Sequence, residues 1–433
     1  MALRSAVLVS ALLASTLSPA AAVADTGCGE RSLRVPGAER SVAFCLDDLT
    51  TAGTVPSGHT DPTDWAGLEA PKTVNPSGVP GIQIDGYFAD TSATNPTHGW
   101  NHDAQFVIRL PRKWNGGLVV SAPPGVREQY ANDRIIGDHV LARGYAFAAT
   151  DKGNTGPAPY KDGRRPGDAI QEWHTRLAQL TVAAKRVAAQ RYGHAPRYTY
   201  AAGLSAGGYI VRGQLERYPG LYTGGVDWNA LLFTAKGPNL LTTLPPALRA
   251  YPRYVAGKAG AHEEMLAAGY PAGSEPLWGP HYKTLWDFLQ RITREELDPS
   301  YDGATEGGTP FCPEGTGAGC DTDYDYGSRP RSVHDAVQRV SLTGRIARPL
   351  ISVHGTLDVL APISKTGDVY AEMVRKSGRG SLHRYYRVTG GTHTDGFNAA
   401  FPTLVRPMQS DFIAAFDRLA AWTQRGVQPP PSS

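Results

Sequence analysis

The chain is short of net charge, of cysteine and of long apolar runs. Its 43 Lys and Arg nearly cancel 40 Asp and Glu, leaving +3 over 433 residues. No basic cluster carries interleaved aromatics, so nucleic acid is not an expected partner. Beyond the amino terminus no stretch is apolar for long enough to span a bilayer, which excludes stable membrane insertion. No internal repeat is present, which removes solenoids and propellers. No glycine-rich phosphate loop follows a strand in a dinucleotide-binding context, so no cofactor is required. The four cysteines come without a Cys-x-x-Cys pair or clustered histidines. They read as structural disulfides, and Cys28 with Cys45 and Cys312 with Cys320 are the short-loop pairings expected.

What is present first is an export signal. Arg4 is followed by an apolar run over 6–17, and Ala22-Val23-Ala24 supplies a small-x-small cleavage pattern. Residues 1–24 are therefore expected to be removed and the mature chain to start, outside the cell, at Asp25. Residues 25–105 form an amino-terminal extension with short strands at 42–46 and 82–88. From 106 to 232 strands alternate with helices. The strands lie at 106–110, 118–121, 145–150 and 198–202, and helical periodicity covers 133–143, 172–191 and the stretch from the Gly203–Gly208 turn to Arg217. Over 233–342 the alternation is lost, in a segment with aromatics, a Gly-rich run and two cysteines, which reads as an inserted lid. It returns over 343–425, with a strand at 349–354, a helix at 366–376, a strand at 384–388 and a final helix at 410–424. Residues 426–433 read as a frayed tail. This order predicts an α/β fold with a mostly parallel central sheet flanked by helices.

Gly203-Leu204-Ser205-Ala206-Gly207 has the G-x-S-x-G pattern of a nucleophile elbow, between a β-rich segment and a helical one. In the α/β-hydrolase order an acid and then a histidine follow. Asp358 leaves the end of the 349–354 strand, and His393 follows the 384–388 strand. An aspartate there orients the imidazole, and the imidazole takes the serine proton. Asp227 is the rival acid, at the end of a strand after the nucleophile helix. His354 reads as a core residue and His383 as an exposed one. An oxyanion hole needs two backbone N–H groups. Ala206 supplies one. The other comes from the loop Ala122-Pro123-Pro124-Gly125-Val126, whose prolines have no N–H, leaving Gly125 or Val126, of which Gly125 is preferred.

These pieces resemble the tannase and feruloyl esterase group of secreted α/β-hydrolases. The resemblance rests on Trp114-Asn115-Gly116-Gly117, Ala149-Thr150-Asp151-Lys152-Gly153-Asn154, Gly203 to Gly208, His354-Gly355-Thr356-Leu357-Asp358 and Gly391-Thr392-His393, and spans about 106–397. It implies a Ser205–Asp358–His393 triad and a lid over the acyl or aromatic part of the substrate. Members commonly carry cysteines beside the serine and the histidine; here Leu204 and Thr394 stand there. The group often holds calcium in its lid, and Asp321, Asp323 and Asp325 offer alternating carboxylates for such an ion.

The expected activity is hydrolysis of a small or polymeric carboxylic ester, whether phenolic, short-chain or polyester. Tyr251, Tyr254, Trp278, Tyr282 and Trp286 are candidates to line an aromatic cleft. An exopeptidase or amidase is the alternative on the same triad, with Glu263-Glu264 as candidate recognisers of a peptide amino terminus. A catalytically silent binding protein is the third reading, and its usual mark, a missing triad residue, is not present.

Overall fold

A computed structural model describes residues 33–53, 61–158, 162–301 and 321–432. Among them nine strands form one sheet: β1 (Ala38–Leu46), β2 (Gly81–Phe88), β3 (Gln105–Pro111), β4 (Gly117–Ser121), β5 (Ala146–Thr150), β6 (Tyr198–Leu204), β7 (Gly224–Trp228), β8 (Leu350–Gly355) and β9 (His383–Val388). Their spatial order is β1-β2-β3-β5-β4-β6-β7-β8-β9. The first three pair antiparallel, as do β3 and β5, whereas every pairing from β5 onward is parallel.

Apart from the edge strand β9, the parallel strands are buried on both faces, and alternate residues enter different cores. Leu118, Val120, Ala146 and Ala148 pack on one side. Val119, Phe147, Tyr200 and Val353 pack on the other. The helices of the described residues are α1 (Asp138–Ala142), α2 (Asp168–Tyr192), α3 (Ala206–Arg217), α4 (Leu240–Val255), α5 (Ala261–Ala267), α6 (Glu275–His281), α7 (Asp287–Leu297), α8 (Arg331–Val340), α9 (Gly367–Lys376) and α10 (Gln409–Arg425). Leu177, Leu180, Ala184 and Val187 seal α2 onto one face of the sheet. Phe412, Ala415, Phe416 and Leu419 seal α10 onto the opposite face. Helices α4 to α8 all fall between β7 and β8, so the insertion leaves the sheet and returns to the neighbouring strand.

Two local expectations change. The helix foreseen over 133–143 opens with a π turn, Asp133–Gly137, before α1. The tail foreseen as frayed lies along β9, the edge strand. Ser432 Oγ accepts from the Tyr385 N–H at 2.9 Å, and the Pro430 carbonyl accepts from the Tyr386 hydroxyl at 2.8 Å. An edge strand offers unpaired backbone donors, and the tail answers one of them. No helix among the described residues is long and apolar enough to cross a membrane. The export signal lies outside the described residues, as do Cys28, Cys312 and Cys320 and hence both expected cysteine pairings.

Candidate active site

β6 ends at Leu204 and α3 begins at Ala206, so Ser205 alone makes the turn between them, at φ 59° and ψ −118°. A residue other than glycine holds such backbone only where its surroundings fix it. They do. The Ser205 N–H donates to the Trp228 carbonyl at 2.9 Å, and its carbonyl accepts from Leu231 at 3.2 Å and Tyr209 at 3.0 Å. The glycines of the motif answer close approach. A Cβ on Gly203 would stand 2.5 Å from the backbone of Gly207, and one on Gly207 would stand 2.1 Å from the Ala122 carbonyl oxygen. Gly207 therefore lets the nucleophile helix close against the loop that follows β4.

Ser205, His393 and Asp358 are brought together. His393 Nε2 lies 2.9 Å from Ser205 Oγ, and His393 Nδ1 lies 2.8 Å from Asp358 Oδ2. Exposure is 4% for Ser205, 3% for His393 and 0% for Asp358. Burial alone would raise the Asp358 carboxyl. The imidazoles of His393 and His354, with their hydrogen bonds, outweigh it and hold the group far below the usual carboxylate range. The backbone N–H groups of Leu360 and Ala361 add donors to Oδ1 at 2.9 and 2.8 Å. A carboxylate so surrounded stays ionised and can hold an imidazolium beside it.

The other candidates resolve as follows. Asp227 is fully buried on β7, but it accepts from Arg212 Nε and Nη2 at 3.1 and 2.8 Å, so its charge serves α3 and not His393. His354 lies buried in β8 with Nε2 3.4 Å from Asp358 Oδ2 and 2.9 Å from the Ala361 carbonyl oxygen. His383, expected to be exposed, is buried at the start of β9. Its Nε2 lies 2.9 Å from Ser352 Oγ, and burial pushes the ring down to about 3. Gly125 takes the left-handed region at φ 54°. With Val126 and Ser205 it lines the same cavity, of about 310 Å³. Ala206 opens α3, where the first N–H groups of a helix have no partner within it.

Thr284, Leu285, Phe288 and Leu289 roof that cavity, with Leu231, Leu360 and Phe397 among its walls. The five aromatics expected there do not line it. Trp278 and Trp286 are buried in the lid's own core, with indole N–H groups donating to Ser274 Oγ and the Val359 carbonyl. Tyr251 packs on Tyr282 with ring centroids 4.8 Å apart. A lid of short helices needs its large aromatics for its own packing. Glu264 pairs with Arg253 at 2.7 Å on the lid surface and does not line the cavity that holds Ser205.

The expected calcium ligands do not converge among the described residues. Asp321 accepts from Arg294 Nε at 2.8 Å, Asp325 accepts from the Gly327 N–H at 3.0 Å, and Asp323 is exposed. The carboxylates that do gather, with ligand atoms within 4.8 Å of one another, are Asp90, Asp162 and Glu172. Arg176 bridges Asp90 and Glu172, supplying the positive charge a cation would bring.

Asn229 was not foreseen. It follows β7 in the left-handed region at φ 44°. Its Nδ2 donates to the carbonyls of Thr392 and His393 at 2.7 and 2.9 Å, and its Oδ1 accepts from the Gly355 N–H at 2.8 Å. One amide thus joins the ends of β7 and β8 to the histidine loop. The sequence signal was slight: an Asn just past a strand, a residue that tolerates positive φ.

Comparison with known proteins agrees with this architecture. A family model for tannase and feruloyl esterase matches residues 90–229, and one for 3HB-oligomer hydrolase matches residues 309–433. The first match holds Ser205, the second Asp358 and His393. A mono(2-hydroxyethyl) terephthalate hydrolase of Piscinibacter sakaiensis is 26% identical over 206 residues, 44% of this chain and 34% of that protein. A D-(-)-3-hydroxybutyrate oligomer hydrolase of Azoarcus sp. (strain BH72) is 32% identical over 114 residues, 24% of this chain and 16% of that protein. The matches thus span about a third or less of those curated relatives. Among solved structures, feruloyl esterase B of Aspergillus oryzae superposes with TM-score 0.53 at 12% identity, covering 93% of this chain and 90% of that one. Tannin acyl hydrolase of Aspergillus niger gives 0.51 at 14% identity, covering 93% and 87%. The chain has the α/β-hydrolase fold, and its residues 90–229 are similar to the tannase and feruloyl esterase family.

Proposed function

We propose that this protein is an exported serine hydrolase of carboxylic esters, working through an acyl-enzyme with Ser205 as nucleophile, His393 as base and Asp358 as the group that orients it. The observation that carries the reading is the run of two hydrogen-bond distances, 2.8 and 2.9 Å, from Asp358 through His393 to Ser205, at the floor of a roofed apolar cavity. Ser205 Oγ attacks the ester carbonyl as its proton passes to His393 Nε2. The backbone N–H groups of Ala206 and Gly125 receive the developing oxyanion, and the proton leaves with the alcohol. Water then attacks the acyl-enzyme by the same route, returning its proton to Ser205. Every step uses groups of this chain. Residues 1–24 direct export, with cleavage after Ala24.

The substrates named for the relatives, a terephthalate monoester and hydroxybutyrate oligomers, are esters that release free acid. They favour ester over amide here, since Glu264 is engaged elsewhere. The test compares the protein with Ser205→Ala on p-nitrophenyl butanoate, methyl ferulate, a gallate ester, a hydroxybutyrate dimer and an aminoacyl anilide. Ester turnover should fall at least about a thousandfold in the variant. Equal turnover by both proteins, or turnover of the anilide alone, sinks the reading.

A further inference from the structure

Beside the catalytic cavity lies a second, smaller space. The two share Gly125, Val126, Leu231 and Leu289, and the smaller one reaches past Ala206, the residue that follows the nucleophile. Its volume is about 30 Å³. A single water needs roughly 10–15 Å³ on such a measure, so this is room for about two or three small carbon groups. The walls come from three elements. Ile170 and Trp173 project from the first turns of α2, Phe233 and Leu240 from the chain entering the lid, and Ile292, Thr293 and Glu296 from one stripe of α7. Each of these seven is buried.

The chamber carries no full charge at neutral pH. Glu296 is its one ionisable group. Burial, opposed by the N–H of Ala169 donating to Oε1 at 3.0 Å, pushes that carboxyl up to about 8. The Trp173 indole N–H is spent on Asn154 Oδ1 at 2.8 Å. An acyl group bearing a carboxylate or an ammonium would be buried there without a counter-charge.

We propose that this chamber receives the acyl chain of the ester and limits it to short aliphatic acids of about four carbons, leaving the larger cavity for the alcohol part. The inference rests on the reading of Ser205 as the acylated residue. With the carbonyl carbon at Ser205 Oγ and its oxygen turned to the Ala206 and Gly125 N–H groups, the opening beside Ala206 lies next to the carbonyl. An aliphatic tail entering it leaves water wholly. A planar feruloyl or galloyl ring is too large for a space of about 30 Å³, so such acids are poor acyl donors.

The experiment is a chain-length series of p-nitrophenyl esters, acetate through decanoate, with methyl ferulate, for the protein and for Ile292→Ala, Leu240→Ala and Thr293→Met. In the unaltered protein kcat/KM should rise to about butanoate and fall at least tenfold by octanoate. Each methylene that finds room should add about fourfold, the change that ~0.8 kcal/mol of burial gives. Ile292→Ala and Leu240→Ala, from different elements, should raise the octanoate-to-butanoate ratio at least tenfold, and Thr293→Met should lower the butanoate-to-acetate ratio. Melting curves confirm that each compared variant is folded, and two openings from different elements guard against one that is not. A flat profile, or feruloyl turnover matching butanoyl, overturns the chamber while loss of turnover in Ser205→Ala keeps the nucleophile. Turnover that survives Ser205→Ala overturns both.

Discussion

At the scale of single residues, the position of His393 is set less by its own neighbours in sequence than by Asn229. An imidazole that must meet Ser205 on one side and Asp358 on the other tolerates little displacement, and about 1 Å costs on the order of a hundredfold in rate. Asn229 holds the backbone carbonyls on which that loop hangs. Asn229→Asp keeps the acceptor for Gly355 but turns a carboxylate toward two carbonyl oxygens. The variant should lose roughly ten- to a hundredfold in kcat with KM nearly unchanged, and about 2 kcal/mol of stability. Steady-state kinetics on a p-nitrophenyl ester, beside denaturant melts, check both. A rise in KM with kcat unchanged would show that Asn229 acts on binding and not on the histidine.

At the scale of elements, α7 meets α2 through Glu296, whose carboxyl accepts from the first turn of α2. In the folded chain that group keeps its proton up to about pH 8, against an ordinary value of 4.5. Between those values the folded state binds more protons than the unfolded one, so stability falls as pH rises from 4.5 toward 8. Glu296→Gln keeps the acceptor for Ala169 and removes the titration. Its melting temperature should therefore gain on that of the parent between pH 5 and pH 8, by an amount equivalent to ~1 kcal/mol or more. Parallel difference curves across that range would show that Glu296 titrates normally.

The elements also differ in how plainly the sequence speaks. The sheet core was legible, because β4, β5, β6 and β8 are short apolar runs bounded by turn formers, and α2 and α10 carry one apolar stripe each. The grouping of Ser205, Asp358 and His393 was legible because each stands at or just past a strand end, in the order expected of such a site. The lid was not. α4 contains Pro245, Pro246 and Pro252, and α6 contains Pro280, residues that argue against a helix wherever tertiary packing does not overrule them. The cavity roof was missed for a related reason. Large aromatics in a lid read equally as ligand contacts or as packing, and only the fold decides that Phe288 faces Ser205 while Trp286 faces the lid interior. His383 reads as exposed only while β9 has no helix against it.

At the scale of the whole molecule, Ser205 comes before the lid in sequence and Asp358 and His393 after it, so the insertion sits over a site whose parts come from both sides of it. Ser205 and His393 are almost wholly shielded, and α7 with the turn before it roofs the cavity. A long polymer strand cannot lay its middle across such a floor; it can only offer an end. On a hydroxyacid polyester the protein should therefore release monomer from the first minutes and leave the remaining chains nearly full length, which chromatography of soluble products against time would read. A ladder of intermediate oligomers would mean that the roof lifts. On such a polymer the described geometry would make the protein a trimmer of loose ends, best fed by another catalyst that cuts within the strand and multiplies the termini it can grip.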